Sequence, residues 1–188
     1  MLTGSSHFLV VGLGNIPYPG TRHSIGHLVV DGLASRLGIS LTPDSVVKGF
    51  RATKHNVPIG EENVTITLYK PKALMNVSGP PVSTALKNLA IQPSNMIVVH
   101  DSLEQKPMKL SPKFGGSANG HNGVRSIIAA LGGMKDFHRI RIGVGRSDAD
   151  VADFVMERLP STERTFWQHG EGVGAVWSAL LKIMAMPH

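Results

Sequence analysis

The chain has 188 residues, of which 41% are hydrophobic, enough for one substantial core and too few to favour two ordinary domains. Cysteine is absent, so disulfides, thiolate nucleophiles and cysteine-based zinc sites are excluded. The formal net charge of +6 favours a polyanionic partner without establishing one, because net charge speaks to association rather than to fold.

The N-terminal part of the chain predicts a strand followed by a helix. The short apolar run at residues 7–11 is β-branched and is ended by glycines, which is typical of a buried strand. Leucines and valines at helical spacing predict a helix over residues 26–37. Ser24 is a candidate cap for this helix, and Gly38 is its stop signal.

The middle of the chain continues the same alternation. Residues 64–69 predict a second strand, and residues 80–89 predict a helix with proline in its first turn. The run MIVVHD at residues 96–101 is apolar throughout its body. A strand of this kind is covered on both faces, which favours a layered α/β sheet over a half-exposed one.

The C-terminal part begins with a glycine-rich loop at residues 115–123. A helix is predicted at residues 124–131, ended by two glycines, and a strand at residues 139–145. Its alternation places isoleucines and valine on one face and Arg139 and Arg141 on the other. Arg139 is interpreted as a solvated surface charge.

Two helical patterns close the chain, at about residues 150–159 and 161–184, separated by Pro160. Alternating strands and helices predict a single α/β domain over residues 1–188, with a mixed, largely parallel sheet flanked by helices. Ligands bind such sheets beyond the carboxyl ends of the strands. Asn15, Asn76 and Asp101 follow predicted strands or the loops after them.

Five short segments carry polar groups in loops rich in glycine and proline or next to predicted strands. They are GLGNIPYPGTRH at 12–23, KPKALMNVSG at 70–79, VVHDSL at 98–103, NGHNGVRS at 119–126 and FHRIRIGVGR at 137–146. In this order and at these intervals they resemble the signatures of bacterial-type peptidyl-tRNA hydrolases, over residues 8 to about 159. The resemblance implies hydrolysis of the ester between a peptide and the 3′ end of tRNA, with no metal and no cofactor.

The same resemblance implies that His23 is the general base, that Asp101 orients it, and that three carboxamides surround the ester. An imidazole titrates near neutral pH, so it can take a proton from the attacking water. A carboxylate on the other ring nitrogen would fix the tautomer. Carboxamides donate and accept hydrogen bonds without titrating. The three carboxamides are those of Asn15, Asn76 and Asn122.

Further positions follow from the match. Asn15 corresponds to the residue that distinguishes peptidyl from free aminoacyl substrates. The positions matching the substrate crevice are Tyr18, Leu74 and Asn76. Lys113 and Arg141 resemble a basic pair that holds a tRNA phosphate, which would give salt-sensitive binding without reading sequence. The implied partner is the acceptor stem and 3′ end of peptidyl-tRNA, bound by a monomer.

The sequence departs from the family pattern in two ways. The interval from Asn15 to His23 is two residues shorter than usual, although the interval from Tyr18 to His23 is kept. Ser24 stands where asparagine is common, Ser102 where glutamate is common, and Leu74 where an aromatic residue is common. These changes affect the surroundings of the base but not the base or its carboxylate.

Other interpretations of single residues remain. His23 and His27 have the spacing of a metal pair but lack the glutamate of HExxH. Asp101 would be a simple turn residue unless it pairs with His23, and Asn76 and Asn122 fit turns equally well.

Two further functions compete with the hydrolase: an inactive tRNA- or ribosome-binding protein on the same scaffold, and an esterase for small acyl substrates. No apolar run approaches the roughly 20 residues needed to cross a bilayer, so no membrane partner and no secretory signal are expected. The expected location is the cytoplasm, with the mitochondrion as the alternative.

Overall fold

The computed structural model describes residues 5–186 and arranges its strands in one seven-stranded sheet. The strands are β1 (His7–Gly12), β2 (Thr42–Asp44), β3 (Gly49–Ile59), β4 (Glu62–Pro71), β5 (Met96–Ser102), β6 (Leu110–Phe114) and β7 (His138–Gly143). Their order across the sheet is β2-β3-β4-β1-β5-β7-β6. The four central strands, β4, β1, β5 and β7, are parallel, and the strands outside them pair antiparallel. This confirms the mixed, largely parallel sheet.

Helices cover both faces of the sheet. They are α1 (Ile25–Leu37), α2 (Gly79–Leu89), α3 (Asn122–Ala130), α4 (Val151–Met156), α5 (Ser161–Gln168) and α6 (Glu171–Met184), with short 3-10 helices at Arg22–Ser24, Met75–Val77 and Pro93–Asn95. Alternate residues of β1 point to opposite faces. Phe8 packs with α1, α5 and α6, whereas Leu9 packs with α2 and α3. Two apolar clusters therefore hold the sheet between two helical layers.

The strands and helices predicted at the centre of the fold are confirmed within one or two residues at most ends. All seven residues of β5 are buried, as its continuous apolar run predicts. The prediction missed β2, β3 and β6, which lie at or next to the edges of the sheet. β3 contains the exposed polar run KHN, and β6 contains Pro112. These strands lack a regular apolar alternation because exposed and half-buried positions interrupt the buried ones.

Three local predictions were wrong. The predicted helix at 161–184 is two helices, because the chain leaves helical geometry at His169 and Gly170. The helix predicted at 150–159 ends at Met156. Ser24 occupies the cap position of α1 but makes no capping hydrogen bond, because its hydroxyl is engaged elsewhere.

Arg139 is not a solvated surface charge. Its side chain is fully buried, and Nη2 donates to the carbonyls of Gly115 and Ser117 at 2.8 and 2.9 Å. A buried guanidinium needs such partners, since an unpaired buried charge is costly. Arg139 therefore fixes the start of the glycine-rich loop to β7.

Close packing of α1 on the sheet brings the start of this helix to the ends of the strands. A Cβ atom on Gly26 would collide with the carbonyl oxygen of Val99, and one on Gly12 would collide with that of Gly26. Only glycine permits this approach. The residues just before α1 therefore lie beside the carboxyl end of β5. Within the described residues, no helix has the length and apolar character needed to cross a membrane.

Candidate active site

The proposed base and its proposed carboxylate meet at the carboxyl end of β5. His23 lies in the 3-10 helix Arg22–Ser24 that leads into α1, and Asp101 is the second-last residue of β5. Nδ1 of His23 is 2.9 Å from Oδ1 and 3.0 Å from Oδ2 of Asp101. An ionised carboxylate only accepts hydrogen bonds, so the proton lies on Nδ1 and the lone pair on Nε2.

The pair shifts the titration of both groups. Burial of the His23 ring by itself lowers its pKa, but the hydrogen bond to Asp101 and the charge of that carboxylate outweigh burial and raise the pKa above its ordinary value. Burial raises the pKa of Asp101, but the two histidines that donate to it hold the pKa well below the usual range. His23 is therefore a stronger base than a free histidine, beside a permanently charged partner.

A second histidine, not singled out from the sequence, shares this carboxylate. Nε2 of His121 is 2.8 Å from Oδ1 of Asp101. Nδ1 of the same ring accepts the backbone N–H of Val124, so His121 is the N-cap of α3. An imidazole nitrogen that accepts a hydrogen bond leaves the proton on the other nitrogen. The helix cap therefore makes Nε2 the donor to Asp101.

The histidine before Asp101 completes this cluster. His100 is buried, its Nδ1 donates to the carbonyl of Asp101 at 2.7 Å, and its ring meets that of His121 edge-on at 4.6 Å. Burial is the main cause that holds the pKa of His100 well below its ordinary value, and the nearby His121 lowers the pKa further. His100 is therefore a neutral support for the main chain and for the ring of His121.

A crevice of about 580 Å³ opens in front of His23. Six of the residues predicted from the sequence line it, namely Asn15, Tyr18, His23, Leu74, Asn76 and Asn122. Side chains of α4 form another part of the wall, including Val151, Val155 and Met156. The crevice thus combines one imidazole, three carboxamides and an apolar wall.

Asn15 is the most firmly held of the carboxamides. It is only 6% exposed. Oδ1 accepts the backbone N–H of Met75 at 2.8 Å, and Nδ2 lies 3.9 Å from Sδ of Met156. The oxygen of the amide is therefore used within the protein, and the Nδ2 donor faces a weak sulfur acceptor at the crevice wall.

The other predicted crevice residues are more accessible. Tyr18 and Leu74 are about half exposed, at 51% and 50%, and Asn76 and Asn122 are also exposed. Asn76 lies in the 3-10 helix Met75–Val77, and Asn122 is the first residue of α3. Their side chains are available to a bound molecule.

Ser24 closes the loop between Asn15 and His23 with hydrogen bonds of its side chain. Its hydroxyl donates to the carbonyl of Tyr18 at 2.9 Å and accepts the backbone N–H of Asn15 at 3.0 Å. Thr21 also donates its hydroxyl to the carbonyl of Tyr18. These hydrogen bonds tie both ends of the loop to the turn that carries the base.

The two predicted phosphate-binding cations lie on one face of the sheet. In the antiparallel pair, Lys113 is opposite Arg139 and Ser111 is opposite Arg141, so Lys113 and Arg141 are diagonal neighbours at a typical spacing of about 7–8 Å. Nη2 of Arg141 donates to Ser111 Oγ at 2.7 Å, whereas its Nε is buried without a partner in the described part of the chain. Arg141 also lies 3.7 Å from Glu104.

A second cavity, of about 250 Å³, adjoins the aspartate and histidine cluster. Its wall includes Asp101, His121 and three arginines, Arg139, Arg141 and Arg146. Arg141 thus faces a cavity, whereas Lys113 lies outside its lining. The cavity therefore places Asp101 and these three arginines around one space.

Within residues 5–186, one group has the spacing of a cation site, because the ligand atoms of His23, Asp101 and His121 lie within 4.8 Å of one another. Both ring nitrogens nearest the carboxylate already have hydrogen-bond distances to it. Hydrogen bonding accounts for their orientation. The expectation of a metal-independent site stays a prediction.

The chain is similar to known proteins over most of its length. A sequence model of the family described as peptidyl-tRNA hydrolase matches residues 9–184. The peptidyl-tRNA hydrolase of Mycobacterium tuberculosis is 41% identical over 161 residues, covering 83% of this chain and 81% of the relative.

Solved structures give the same result. A peptidyl-tRNA hydrolase in complex with N-propanol superposes with a TM-score of 0.81 at 32% identity, covering 94% of this chain and 87% of that one. The peptidyl-tRNA hydrolase of Acinetobacter baumannii superposes with a TM-score of 0.77 at 33% identity, covering 96% and 88%. The chain therefore belongs to the peptidyl-tRNA hydrolase family.

Proposed function

We propose that His23 activates a water molecule for attack on the ester of peptidyl-tRNA, with Asp101 holding the imidazole in the required tautomer. The chain is a hydrolase of the peptidyl-tRNA hydrolase family, so the reaction is cleavage of the bond between the peptide and tRNA. The observation that carries the residue assignment is the His23–Asp101 pair opening on a crevice with three carboxamides.

The proposed reaction has two steps. Water attacks the ester carbonyl while Nε2 of His23 takes its proton, and the negative charge passes to the former carbonyl oxygen. The intermediate then collapses, the bond to the tRNA 3′ oxygen breaks, and the imidazolium returns the proton to that oxygen. The products are a peptide with a free carboxyl group and tRNA with a free 3′ hydroxyl.

The three carboxamides are proposed to stabilise the oxyanion and to bind carbonyl groups of the substrate. Asn76 and Asn122 are exposed on the crevice, so their amide groups can donate to the developing oxyanion or hold a peptide carbonyl. Asn15 has only Nδ2 available, since Oδ1 accepts from Met75. A fixed donor suits recognition of the amide carbonyl attached to the amino nitrogen, which a free aminoacyl substrate lacks. The half-exposed side chains of Tyr18 and Leu74 supply apolar contact at the rim.

The proposed tRNA contact lies on the adjoining basic face. Lys113 and Arg141 share one side of the sheet, and Nε of Arg141 is a buried donor without a partner among the described residues. The Arg141 side chain also lines the cavity beside Asp101, and a guanidinium is well suited to a phosphate oxygen. This supports the acceptor stem and 3′ end of tRNA as the bound region, with the ester directed to His23.

The test is release of the acyl group from N-acetyl-aminoacyl-tRNA, with free aminoacyl-tRNA as the substrate control. The wild-type protein is expected to cleave only the acetylated substrate, and His23→Ala to lose about 10²- to 10⁴-fold in rate. Turnover that survives in His23→Ala would remove this residue as the base. A folded wild-type protein that binds tRNA without cleaving it would overturn the hydrolase and support the RNA-binding alternative, which the family match does not favour.

The organisation of the working protein is also proposed. One sheet containing the seven strands of residues 5–186 supports one domain over residues 1–188. The family resemblance favours a monomer, which sedimentation analysis would test. The proposed place of action is the compartment in which translation produces the substrate, the cytoplasm. Import of a tagged protein into mitochondria would support a mitochondrial location instead.

A further inference from the structure

The short helix α4 forms part of the crevice wall and needs support from the rest of the fold. It has six residues, and a helix of this length is not stable by itself in water. Its first turn is capped by Asp150, whose Oδ1 accepts backbone N–H groups of Ala152 and Asp153. Its C-terminal end is held by a different element.

Arg22 holds the C-terminal end of α4. Nη1 lies 2.6 Å from Oε2 of Glu157 and donates to the carbonyl of Phe154 at 3.3 Å, while the guanidinium carbon lies 4.1 Å from the centre of the Phe154 ring. The side chain is only 14% exposed. A cation at the C-terminal end of a helix is favourable, since carbonyl groups there have no partner within the helix.

The main chain reinforces this attachment. The backbone N–H of Arg22 donates to the carbonyl of Glu157, and that of Leu159 donates to the carbonyl of Gly20. Thr21 forms an isolated bridge with Arg158. The segment that follows α4 therefore runs against the turn that carries the base. Consecutive residues of this turn contact different elements, because His23 reaches Asp101 on β5 and Arg22 reaches α4.

We infer that Arg22 is a positioning residue that sets the crevice wall for the acyl group by holding α4 against the His23 turn. It touches no reacting atom in this arrangement. Its effect passes through α4 to Val155 and Met156, which face the crevice, and Met156 lies against Asn15. Loss of Arg22 therefore weakens substrate binding, while the hydrogen bonds between His23 and Asp101 remain.

The test compares Arg22→Ala, Arg22→Lys and Glu157→Gln in steady-state hydrolysis of N-acetyl-aminoacyl-tRNA. Arg22→Ala is expected to raise KM by about five- to tenfold, which is less than the full effect of losing a hydrogen bond to a charged group because Arg22 acts on the substrate only through α4, with kcat and the acidic limb of the pH profile little changed. Arg22→Lys should recover part of the loss because the positive charge remains. Glu157→Gln should raise KM less, and its combination with Arg22→Ala should add nothing further.

The matched control is Arg36→Ala. Arg36 belongs to α1, and its guanidinium carbon lies 5.7 Å from the centre of the Trp177 ring, so it has a similar contact away from the crevice. An unchanged KM in this variant, beside a raised KM in Arg22→Ala, supports the inference. A fall in kcat with unchanged KM in Arg22→Ala, or equal effects in both variants, overturns it.

Two further outcomes, a variant that does not fold and a wild-type protein without turnover, can be told apart from a failure of the inference. If Arg22→Ala does not fold, Glu157→Gln and Phe154→Leu carry the test, because each removes one partner of Arg22. Unchanged KM in both then overturns the inference. The inference rests on the proposed hydrolase activity: absence of turnover in the wild-type protein removes that activity, whereas normal turnover with an unaltered KM in the variants removes only the role of Arg22.

Discussion

Replacement of His121 by asparagine tests how the shared carboxylate controls the base. Asparagine is a good N-cap residue, so α3 keeps an acceptor for the N–H of Val124. The shorter side chain lacks the ring that places Nε2 at 2.8 Å from Asp101. The substitution therefore removes the hydrogen bond to the carboxylate while preserving the helix cap.

Two effects of His121→Asn are expected. A hydrogen bond to a charged group stabilises the fold by about 1.5–3 kcal/mol, so the free energy of unfolding in urea should fall by roughly that amount. The carboxylate also loses a donor that shares its charge, so Asp101 interacts more strongly with protonated His23. The pKa of His23 should rise further above its ordinary value, and the acidic limb of kcat/KM should move to higher pH.

The measurement is the pH dependence of kcat/KM on N-acetyl-aminoacyl-tRNA, since this parameter reports the ionisation of the free enzyme. His55→Asn is the matched control because His55 is exposed on β3. An acidic limb that stays in place or moves to lower pH in His121→Asn would refute the argument that His121 draws charge from Asp101.

Three further outcomes are expected. Asp101→Asn should lower kcat/KM by about 10²-fold or more and shift the acidic limb to lower pH, because burial alone lowers the pKa of His23. Lys113→Ala and Arg141→Ala should each weaken tRNA binding and reduce the slope of log affinity against log salt by about 0.7–0.9. His27→Leu should unfold at lower pH than wild type in an acid titration followed by circular dichroism. Burial lowers the pKa of His27 to about 3, so below pH 6.5 the unfolded state takes up a proton that the folded state does not, and stability falls as the pH falls.

Each of these three predictions would be contradicted by a specific result. A salt slope that Lys54→Ala, on β3, changes as much as Arg141→Ala would mean a diffuse charge effect rather than a phosphate site. An acid midpoint unchanged in His27→Leu would mean that His27 is not held neutral in the fold. An acidic limb that moves upward in Asp101→Asn would contradict the direction of the charge interaction with His23.

The central strands and most helices were predictable because their residues are patterned by burial. β5 is buried at every position, and its unbroken apolar run is visible in the sequence. β3 and β6 were missed because much of their surface faces solvent, so polar residues interrupt the pattern. Arg139 was misplaced for a related reason. The alternation of residues correctly placed Arg139 on the face opposite Ile140. It did not show that the glycine-rich loop covers that face and accepts hydrogen bonds from Arg139.

Some features of the candidate site were likewise predictable from the sequence, and others were not. The sequence by itself determined the family and predicted His23 as the base, Asp101 as its carboxylate and three asparagines as carboxamides, since these residues lie in short motifs whose order is visible along the chain. Only the tertiary structure decided that His121 shares Asp101, that Ser24 closes the loop before His23, and that Arg22 holds α4. Each of these contacts joins segments through packing of helices on the sheet, and its existence depends on distances of a few ångströms that residue spacing does not specify.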